Sequence, residues 1–361
     1  MSTYVHDLSP FILKFPATAM WGDQFGFRWY GFSYLLGFIC AYQLIIWLAG
    51  RQRAGLTIPM VGDFITYSAV GALVGGRLGY CLFYDPNLFV SFRSSMPFWG
   101  VLAVNEGGMA SHGGVIGVII ACILFARKSG VSYAYLFDLA AITGPLGFMF
   151  GRIANFINGE LVGRVAPEGF SYAVKFPSDI LNWPTYSFDR LNTLSETVGQ
   201  LGIGASKWSD LLSTFRTDQG SRDQVFGALY RVIHEIQNGN EPVKAAIAPV
   251  LDARYPSQLI AALTEGLFSF VVIFFLARKS HKPGFLGAAF GMVYAVSRIF
   301  NEQFREPDIQ LGYQLLGLTR GQWLSVGLFA AGLVLMVFWS RTQSQTIHGW
   351  RRDSGVKVSR R

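Results

Sequence analysis

The sequence predicts an all-α polytopic membrane protein with about seven transmembrane helices and an extracytoplasmic head segment between the fourth and the fifth. Three observations lead to this fold class. Of the 361 residues, 51% are hydrophobic and only 14% are charged, whereas soluble domains carry about 25% charged residues. The apolar residues are gathered into runs close to the roughly 20 residues that cross a bilayer. Basic clusters follow every second run, as they do in membrane proteins of alternating orientation.

Seven apolar runs are candidate spans. In order they are Tyr30–Leu48, Phe64–Tyr84, Gly108–Ala126, Tyr133–Ile157, Leu259–Ala277, Phe285–Phe304 and Trp323–Trp339. Glycines surround His112 in the third run, so its start is the part of the spans most expected to unwind.

Charge predicts the orientation of these spans, because Lys and Arg accumulate in cytoplasmic loops. Basic residues follow spans one, three, five and seven: Arg51 and Arg53, then Arg127 and Lys128, then Arg278, Lys279 and Lys282, and finally Arg341, Arg351, Arg352, Lys357, Arg360 and Arg361. The N-terminus is therefore expected outside and the C-terminus inside.

This topology divides the chain into four parts. Residues 1–157 contain helices one to four, residues 158–258 form the head segment, residues 259–343 contain helices five to seven, and residues 344–361 form a basic cytoplasmic tail. In the head, Asp223–Asn238 has apolar residues at helical spacing, which predicts a packed core or, less often, a docking surface. The tail Ser344–Arg361 is expected to be disordered near anionic lipid, and Pro10–Trp21 to lie in the outer interface.

Composition and motifs argue against several classes of function. The net charge of +8 is explained by cytoplasmic loops, so no nucleic acid partner is expected. Cys40, Cys81 and Cys122 lie singly in apolar runs, without disulfide or zinc spacing. The first 25 residues lack the order of a cleavable signal peptide, so the spans themselves are expected to target the protein. No P-loop, HExxH or GxSxG run is present, and neither a metal nor another cofactor is expected.

The second span carries a small-residue face and one charge. Gly71, Gly75 and Gly79 recur every four residues, a spacing that lets two helix backbones approach closely. Arg77 does not fit that packing, because a charge at membrane depth costs about 2.5–3.5 kcal/mol on insertion scales and is rarely retained without a role.

Three further polar sites fall at the outer ends of predicted spans. His112 stands among glycines at the start of span three, where it is either a structural residue or a group that substrate approaches closely. The run Gly151–Arg164 ends span four with Asn, Glu and Arg residues that helix capping alone explains poorly. Tyr294, Arg298 and Glu302 are four residues apart in span six and share one helix face. Arg298 and Glu302 are expected to form a pair within an electrostatic site.

Several arginines at one membrane boundary indicate an anionic ligand. A guanidinium binds phosphate oxygens through two parallel hydrogen bonds, and burial strengthens the attraction. The residues alone therefore predict a phosphate-bearing substrate that arrives from the bilayer, namely a phospholipid.

The run Gly151–Arg164 resembles the signature of the prolipoprotein diacylglyceryl transferases, G-R-x-x-N-F-x-N-x-E-x-x-G-R. It matches at each fixed position: Gly151, Arg152, Asn155, Phe156, Asn158, Glu160, Gly163 and Arg164. Other blocks agree in order: Trp29–Gly31, Gly75–Tyr80, His112–Gly114, Pro256–Leu259 and Phe304–Asp308, with Tyr294, Arg298 and Glu302 before the last. The resemblance covers nearly the whole chain except about Ala166–Asp252.

Two departures from the family pattern stand out. The block before span five usually reads R-H-P-S-Q-L-Y-E, but this chain has Tyr255 in place of the His, and Ile260 and Ala261 in place of the Tyr-Glu pair. His112 is then the one histidine expected near the site. The outer segment is also longer, with extra helix-like sequence between Leu191 and Asp252.

The resemblance implies a multi-pass enzyme of the bacterial inner membrane, with a periplasmic N-terminus and a cytoplasmic C-terminus. It implies transfer of the diacylglyceryl group of phosphatidylglycerol to the lipobox cysteine of a prolipoprotein signal peptide, with membrane lipid as its surroundings. A thioether would form and glycerol 1-phosphate would leave, as the first step of lipoprotein maturation.

Roles follow for individual residues. His112 is the candidate base for the thiol, since an imidazole titrates near neutral pH. Arg152 and Arg298 are the other candidate catalytic residues and are expected to bind the phosphate and stabilise the leaving group. The candidate substrate-binding residues are Tyr30, Arg77, Asn155, Glu160, Arg164, Tyr294 and Glu302.

Two other classes of protein also place charges inside a membrane. A transporter or lipid flippase would usually have related halves, whereas these spans divide unevenly and no repeat is evident. A non-catalytic assembly factor would use the long outer segment as a binding surface. Mass spectrometry discriminates them, because only the transferase adds a diacylglyceryl mass to a precursor cysteine.

Overall fold

The computed structural model describes residues 3–15, 26–52, 54–94, 97–104, 107–306 and 315–351. Some of the predicted features lie outside these residues: Arg53, residues 16–21 of the predicted interfacial stretch, Pro307 and Asp308 of the block Phe304–Asp308, and the tail from Arg352 onward.

The described chain is mostly helical. In chain order the α-helices are α1 (Trp29–Gln52), α2 (Ile58–Phe83), α3 (Ser111–Ser129), α4 (Tyr133–Ile157), α5 (Trp183–Tyr186), α6 (Ser195–Gly199), α7 (Ala205–Thr214), α8 (Gln219–Gln237), α9 (Glu241–Ile247), α10 (Ser257–Ala261), α11 (Ser269–Leu276), α12 (Phe285–Asn301) and α13 (Arg320–Arg341). A π-helical segment, Ala262–Phe268, joins α10 to α11 without a break. Short 3₁₀ turns occupy Pro86–Phe89, Gly100–Leu102, Pro177–Asn182, Phe188–Leu194 and Leu315–Gly317.

A helix lies in each of the seven predicted spans. Among the described residues, six helices are long and apolar enough to cross a membrane, with α10, the π-helical segment and α11 acting as one of them. Helix α12 has the same apolar character over only 17 residues. The chain is therefore a multi-pass membrane protein, and the count of seven spans stays a prediction.

The predicted bounds differ from the helix bounds at several spans, and at two of them the predicted span extends three residues beyond the helix. Helix α3 begins at Ser111, three residues after the predicted start, because Gly107 and Gly108 have φ values of +89° and +82°. Positive φ is incompatible with a right-handed helix and is adopted readily by glycine. Helix α12 ends at Asn301, and the chain turns before Phe304.

The prediction of an all-α fold also needs a correction, because the described residues include five short strands. They are β1 (Tyr4–Val5), β2 (Phe11–Lys14), β3 (Gly26–Arg28), β4 (Val174–Lys175) and β5 (Ala253–Arg254). Strand β4 lies between β1, with which it is parallel, and β5, with which it is antiparallel. Strands β2 and β3 form an antiparallel hairpin. Strands of two to four residues leave too little alternation for a sequence pattern to show.

The chain divides into two compact units. The first consists of Met1–Tyr34, Phe148–Glu265 and Ser297–Trp323, and the second of Leu35–Gly147, Gly266–Val296 and Leu324–Arg361. Each unit combines segments that are far apart in sequence, and each has its own apolar core.

The core of the first unit contains the long segment between α4 and α10. The predicted apolar stripe of Asp223–Asn238 lies on α8, where Val225, Leu229, Val232 and Ile236 are all buried. Its interpretation as core packing is confirmed. The carboxylate of Asp218 accepts the backbone N–H of Ser221 at 2.6 Å and caps the start of this helix.

In the second unit, α2 and α3 pack through the glycine face predicted from the sequence. A Cβ atom built on Gly75 would lie 2.8 Å from Gly117 Cα, and one on Gly79 would lie 2.8 Å from Gly113 Cα. Real Cβ atoms essentially never approach this closely. Glycine at these positions therefore sets the separation of the two backbones.

The prediction of a disordered tail was wrong for the described part of it. Residues His281 and Ile347 exchange two backbone hydrogen bonds of 3.1 and 2.8 Å. The indole N–H of Trp350 donates to the Phe274 carbonyl at 2.8 Å, and its ring stacks on the Phe274 ring with centroids 5.0 Å apart. A basic polar sequence suggested disorder, but a half-buried aromatic side chain and a backbone pair dock the segment up to Arg351.

Substituting Gly75 tests this helix contact. Gly75→Ala is expected to destabilise the protein by about 1–3 kcal/mol, as overpacking does. Gly62→Ala is the matched control on the same helix, because a Cβ there meets nothing within 4 Å. It is expected to be neutral or stabilising by up to about 1 kcal/mol. Thermal unfolding of the purified protein in detergent measures both, and equal melting temperatures for the two variants would contradict the packing argument.

Candidate functional site

The signature run Gly151–Arg164 begins inside α4 and continues past its end. Gly159 has a φ of +67° and lies two residues after Ile157, the last residue of the helix. The N–H of Gly159 donates to the Phe156 carbonyl and the N–H of Glu160 to the Asn155 carbonyl, both at 2.9 Å. This pair of bonds is the Schellman motif, which ends a helix on a left-handed residue. The glycine thus turns the chain so that Glu160 comes back beside Asn155.

Asn155, Tyr30 and Glu160 form a hydrogen-bonded chain at this turn. The Asn155 amide donates to the Tyr30 hydroxyl. The hydroxyl of Tyr30 in turn donates to Glu160 Oε2 at 2.9 Å. The other oxygen, Oε1, accepts the Asn158 amide at 3.5 Å. Asn155 is buried while Glu160 is exposed, so the chain leads from the interior of the first unit to its surface.

A buried carboxylate joins the two arginines that the sequence singled out. Glu265 Oε2 lies 3.0 Å from Arg152 Nη2, and Glu265 Oε1 lies 3.4 Å from Arg298 Nη1. The Glu265 side chain is 1% exposed, while those of Arg152 and Arg298 remain 19% and 15% exposed. One carboxylate therefore holds two guanidinium groups side by side, and both keep accessible surface. The Asn301 amide also donates to Glu265 Oε1, at 3.0 Å.

Glu302 links Arg298 to the start of α13. Its Oε2 lies 3.2 Å from Arg298 Nη2, which confirms the predicted pair. Its Oε1 accepts the Thr319 hydroxyl at 2.8 Å. Thr319 and Gln322 form a capping box, in which each side chain accepts the other's backbone N–H, at 3.3 and 2.9 Å. The carboxylate thus sits at a helix N-terminus, where a negative charge is favoured.

The last two signature residues hold the chain that follows α12. The N–H of Arg164 donates to the Phe304 carbonyl, and its carbonyl accepts from Tyr255, both at 2.9 Å. A Cβ on Gly163 would lie 2.7 Å from Phe304 O, so only glycine fits this passage. The Arg164 guanidinium donates to the carbonyls of Arg305 at 2.7 Å and of Glu302 at 3.3 Å. Arg164, predicted to bind substrate, thus positions the segment that carries Glu302.

Arg254 is a further buried arginine of the first unit, and its partners were not predicted from the sequence. Its guanidinium pairs with Asp179 at 2.9 Å and with Glu306, and donates to the Gly163 carbonyl at 3.0 Å. Burial alone would lower the pKa of Arg254, but the charges of Asp179 and Glu306 outweigh it and raise the pKa. The residue ties the head segment to the end of the signature.

Arg77 lies in the second unit, and its guanidinium donates hydrogen bonds to backbone carbonyls. It donates to Val101 at 2.7 Å, Gly107 at 2.6 Å, Gly108 at 2.9 Å and Gly100 at 2.7 Å. Four carbonyl partners explain how this charge is tolerated near the end of a span. Arg77 was predicted to bind substrate, but these contacts give it a structural role as well, because they hold the loop before α3.

The two remaining predicted residues also lie in the second unit. His112 is exposed in the first turn of α3. Tyr294 is half-buried on α12, with its ring centroid 5.8 Å from that of Phe290. The structure thus brings together Tyr30, Arg152, Asn155, Glu160, Arg164, Arg298 and Glu302 in the first unit.

His112 was expected to be the one histidine near the site, but His6 contacts the signature. Its imidazole is 4% exposed and lies edge-on to Phe156 of the signature, with ring centroids 5.4 Å apart. A Cβ on Gly159 would lie 3.5 Å from the same imidazole. Burial lowers the pKa of His6, so the ring is neutral near pH 7 and supports the turn as a packing group. In the first unit, His6 is thus a histidine in contact with the signature, and nothing in the sequence pattern pointed to it.

Glu265 is the residue that the sequence could have revealed. It lies inside an apolar run that was counted as a span, and an acid at that depth is as unusual as Arg77. It also lies in the π-helical segment Ala262–Phe268, a distortion found frequently at functional sites. Ile260 and Ala261 replace the family's Tyr-Glu pair, and the carboxylate that meets the arginines comes from one turn later.

The arrangement suits an anionic ligand with hydroxyl groups. Two guanidinium groups of fixed direction can take up phosphate oxygens. Asn301 Oδ1 is buried without a protein donor among the described residues, and it can accept from a hydroxyl. The described residues contain no cluster of three or more His, Cys, Asp or Glu side chains that would hold a metal ion.

Comparisons with known proteins agree with the signature. A family model described as prolipoprotein diacylglyceryl transferase matches residues 17–338. A phosphatidylglycerol–prolipoprotein diacylglyceryl transferase of Bdellovibrio bacteriovorus is 57% identical, over 99% of this chain and 100% of its own length. Proteins of the same name from Psychrobacter arcticus and Burkholderia multivorans are 32% and 34% identical, over 91% and 88% of this chain and 93% and 92% of theirs.

Neutralising Glu265 is expected to destabilise the fold. Glu265→Gln leaves two partly buried guanidinium groups without their carboxylate, and breaking a buried pair from one side costs about 3–5 kcal/mol. Thermal unfolding in detergent measures the loss. The control is Glu168→Gln, an exposed carboxylate of the same unit, which should change stability by less than about 0.5 kcal/mol. Equal effects of the two substitutions would show that Glu265 does not hold the arginines.

Proposed function

We propose a mechanism for this chain from the premise that it belongs to the prolipoprotein diacylglyceryl transferase family. It is a membrane transferase that moves the diacylglyceryl group of phosphatidylglycerol onto a prolipoprotein, the first step of lipoprotein maturation. The acceptor is the thiol of the lipobox cysteine in the signal peptide. The observation that carries the mechanism is the pair of arginines, Arg152 and Arg298, on the one buried carboxylate of Glu265.

The reaction exchanges one bond for another. The cysteine sulfur, as thiolate, attacks the glyceryl carbon that bears the phosphate of phosphatidylglycerol. A carbon–sulfur bond forms, and the carbon–oxygen bond breaks with its electron pair moving to the phosphate oxygen. The products are the thioether-linked lipoprotein precursor and glycerol 1-phosphate. The thiol proton passes to a base, and the site must neutralise the charge that grows on the leaving phosphate.

Arg152 and Arg298 neutralise the charge that grows on the leaving phosphate. Their guanidinium groups take the phosphate oxygens, and their attraction strengthens as negative charge develops in the transition state. Glu265 and Glu302 orient the two guanidinium groups before substrate arrives, so little reorganisation is needed during the reaction. Because those carboxylates also offset the positive charge, the phosphate is bound chiefly through directed hydrogen bonds.

The hydrogen-bonded chain at the end of α4 binds the rest of the head group. Tyr30, Asn155 and Glu160 present hydroxyl, amide and carboxylate groups that match the two hydroxyls of the glycerol head group. The acceptor Oδ1 of Asn301 supports the same role. Tyr294 remains a candidate on α12. Arg77 and Arg164 act through the loops they hold.

His112 is proposed as the base that takes the thiol proton. A free thiol has a pKa of about 8.5, so a neutral imidazole raises the thiolate fraction near pH 7. The glycines beside His112 allow the peptide backbone to approach it.

The membrane arrangement completes the proposal. Seven spans place the N-terminus in the periplasm and the C-terminus in the cytoplasm of the inner membrane, with residues 158–258 as a periplasmic head. The basic residues after odd-numbered spans support this orientation. Both substrates then reach the site from the outer leaflet. The parts 1–157, 259–343 and 344–361 are the flanking membrane helices and the cytoplasmic tail.

Removing either phosphate ligand tests the mechanism. Arg152→Ala and Arg298→Ala are each expected to lower kcat by about 10²–10³-fold, the loss typical of one transition-state hydrogen-bond donor. The measurement is mass spectrometry of a lipobox peptide incubated with the enzyme and phosphatidylglycerol in nanodiscs. Tyr230→Phe, an exposed head residue, is the control. The phosphate assignment fails if both arginine variants keep near-normal transfer.

Replacing His112 tests the base separately. His112→Gln is expected to reduce transfer about 10²–10⁴-fold at pH 7, the range typical of general base catalysis. The loss should shrink at pH 9, because the thiol then ionises without help. A pH–rate profile of variant and wild type measures this. A variant with full activity at every pH would remove His112 from the mechanism and leave the lipid site standing.

A further inference from the structure

The hairpin of β2 and β3 stands immediately before the first membrane helix. Strand β3 ends at Arg28 and α1 begins at Trp29, with no linker between them. Helix α1 is 24 residues long and apolar enough to span a bilayer. The hairpin must therefore lie at the boundary between water and membrane on the side where α1 starts.

The hairpin exposes large apolar side chains at this boundary. Ile12, Leu13 and Phe27 are 44%, 52% and 64% exposed. The apolar surface continues onto α1, where Phe32 is 46% exposed and its ring lies 6.1 Å from that of Trp29. If these side chains stood in water, the protein would not gain the free energy that burial of their apolar surface provides. Continuity with the surface of a membrane helix identifies lipid as what covers them.

Cations accompany these apolar residues. Lys14 and Arg28 are both exposed. The Arg28 guanidinium lies 4.8 Å from the centroid of the Phe11 ring, which holds it against the ribbon. The Lys14 ammonium lies 2.8 Å from His234 Nε2 of α8. Apolar residues flanked by cations match the acyl boundary and the phosphate layer of an anionic lipid surface.

We propose that the β2–β3 hairpin is a lipid-binding element that inserts Leu13 and Phe27 at the acyl boundary and holds anionic phospholipid head groups with Lys14 and Arg28. It differs from the reaction site and does not depend on the proposed mechanism. In a transferase whose lipid substrate is itself anionic, the hairpin concentrates that lipid class beside the start of α1. Because Lys14 also contacts α8, the same element links the head segment to the membrane surface.

A fluorescence-quenching experiment on the full-length protein in nanodiscs tests this proposal. A genetically encoded environment-sensitive amino acid replaces Leu13 or Phe27 in two separate variants. Val334, exposed on α13, is the lipid-facing reference, and Ser209, exposed on α7, is the aqueous control. The discs contain phosphatidylcholine with a shallow nitroxide-labelled lipid, either phosphatidylglycerol or phosphatidylcholine. Labels at positions 13 and 27 are expected to be quenched at least about threefold more than at 209.

The charge of the quencher lipid tests the cations. Each cation near an anionic surface raises lipid affinity about fivefold, so labelled phosphatidylglycerol should quench position 27 severalfold more than labelled phosphatidylcholine. The double variant Lys14→Gln with Arg28→Gln should abolish that difference, and Lys14→Arg with Arg28→Lys should retain it. If the double glutamine variant does not fold, the comparison of the two labelled lipids without those substitutions still tests whether the hairpin prefers anionic lipid.

Two results would overturn the proposal. Quenching at positions 13 and 27 no greater than at Ser209 would show that the hairpin does not contact the bilayer. Equal quenching by the two lipids would show that the contact is apolar only and that Lys14 and Arg28 bind no anionic head group.

Discussion

The structure of the candidate site depends on the burial of the Glu265 carboxylate between two guanidinium groups. A carboxylate that is 1% exposed in a membrane protein is tolerable only if cations and hydrogen bonds meet it. Arg152, Arg298 and Asn301 supply them. The same contacts determine where the arginines point. In the proposed mechanism, a requirement of stability would thereby also prepare the phosphate site, and little reorganisation would be needed during catalysis.

The signature residues divide into two kinds once their contacts are known. Arg152, Asn155 and Glu160 present polar groups around the turn that ends α4. Gly159, Gly163 and Arg164 instead shape the backbone, through a left-handed turn, a passage too narrow for a Cβ atom, and bonds to two carbonyls. A sequence motif can thus be matched at every position although its residues do different work, some presenting polar side chains and others shaping the backbone.

Much of the fold and part of the site could be predicted from the sequence. The spans, the glycine face of α2, the core stripe of α8 and the pair of Arg298 with Glu302 all depend on residues a few positions apart. The short strands, the docked segment around Trp350 and the environment of His6 were missed. Apart from the β2–β3 hairpin, each of these depends on a partner from a distant segment, such as Lys175, Phe274 or Phe156.

By itself the sequence determined the membrane character, the family and the two arginines, because apolar run length, charge distribution and motif spacing are local properties. Tertiary structure alone decided what each buried charge contacts. Arg152 and Glu265 are 113 positions apart, and Arg77 reaches carbonyls 23 to 31 residues away. No periodicity links such residues. Their pairing follows from the need to satisfy every buried charge, which acts only after the helices have packed.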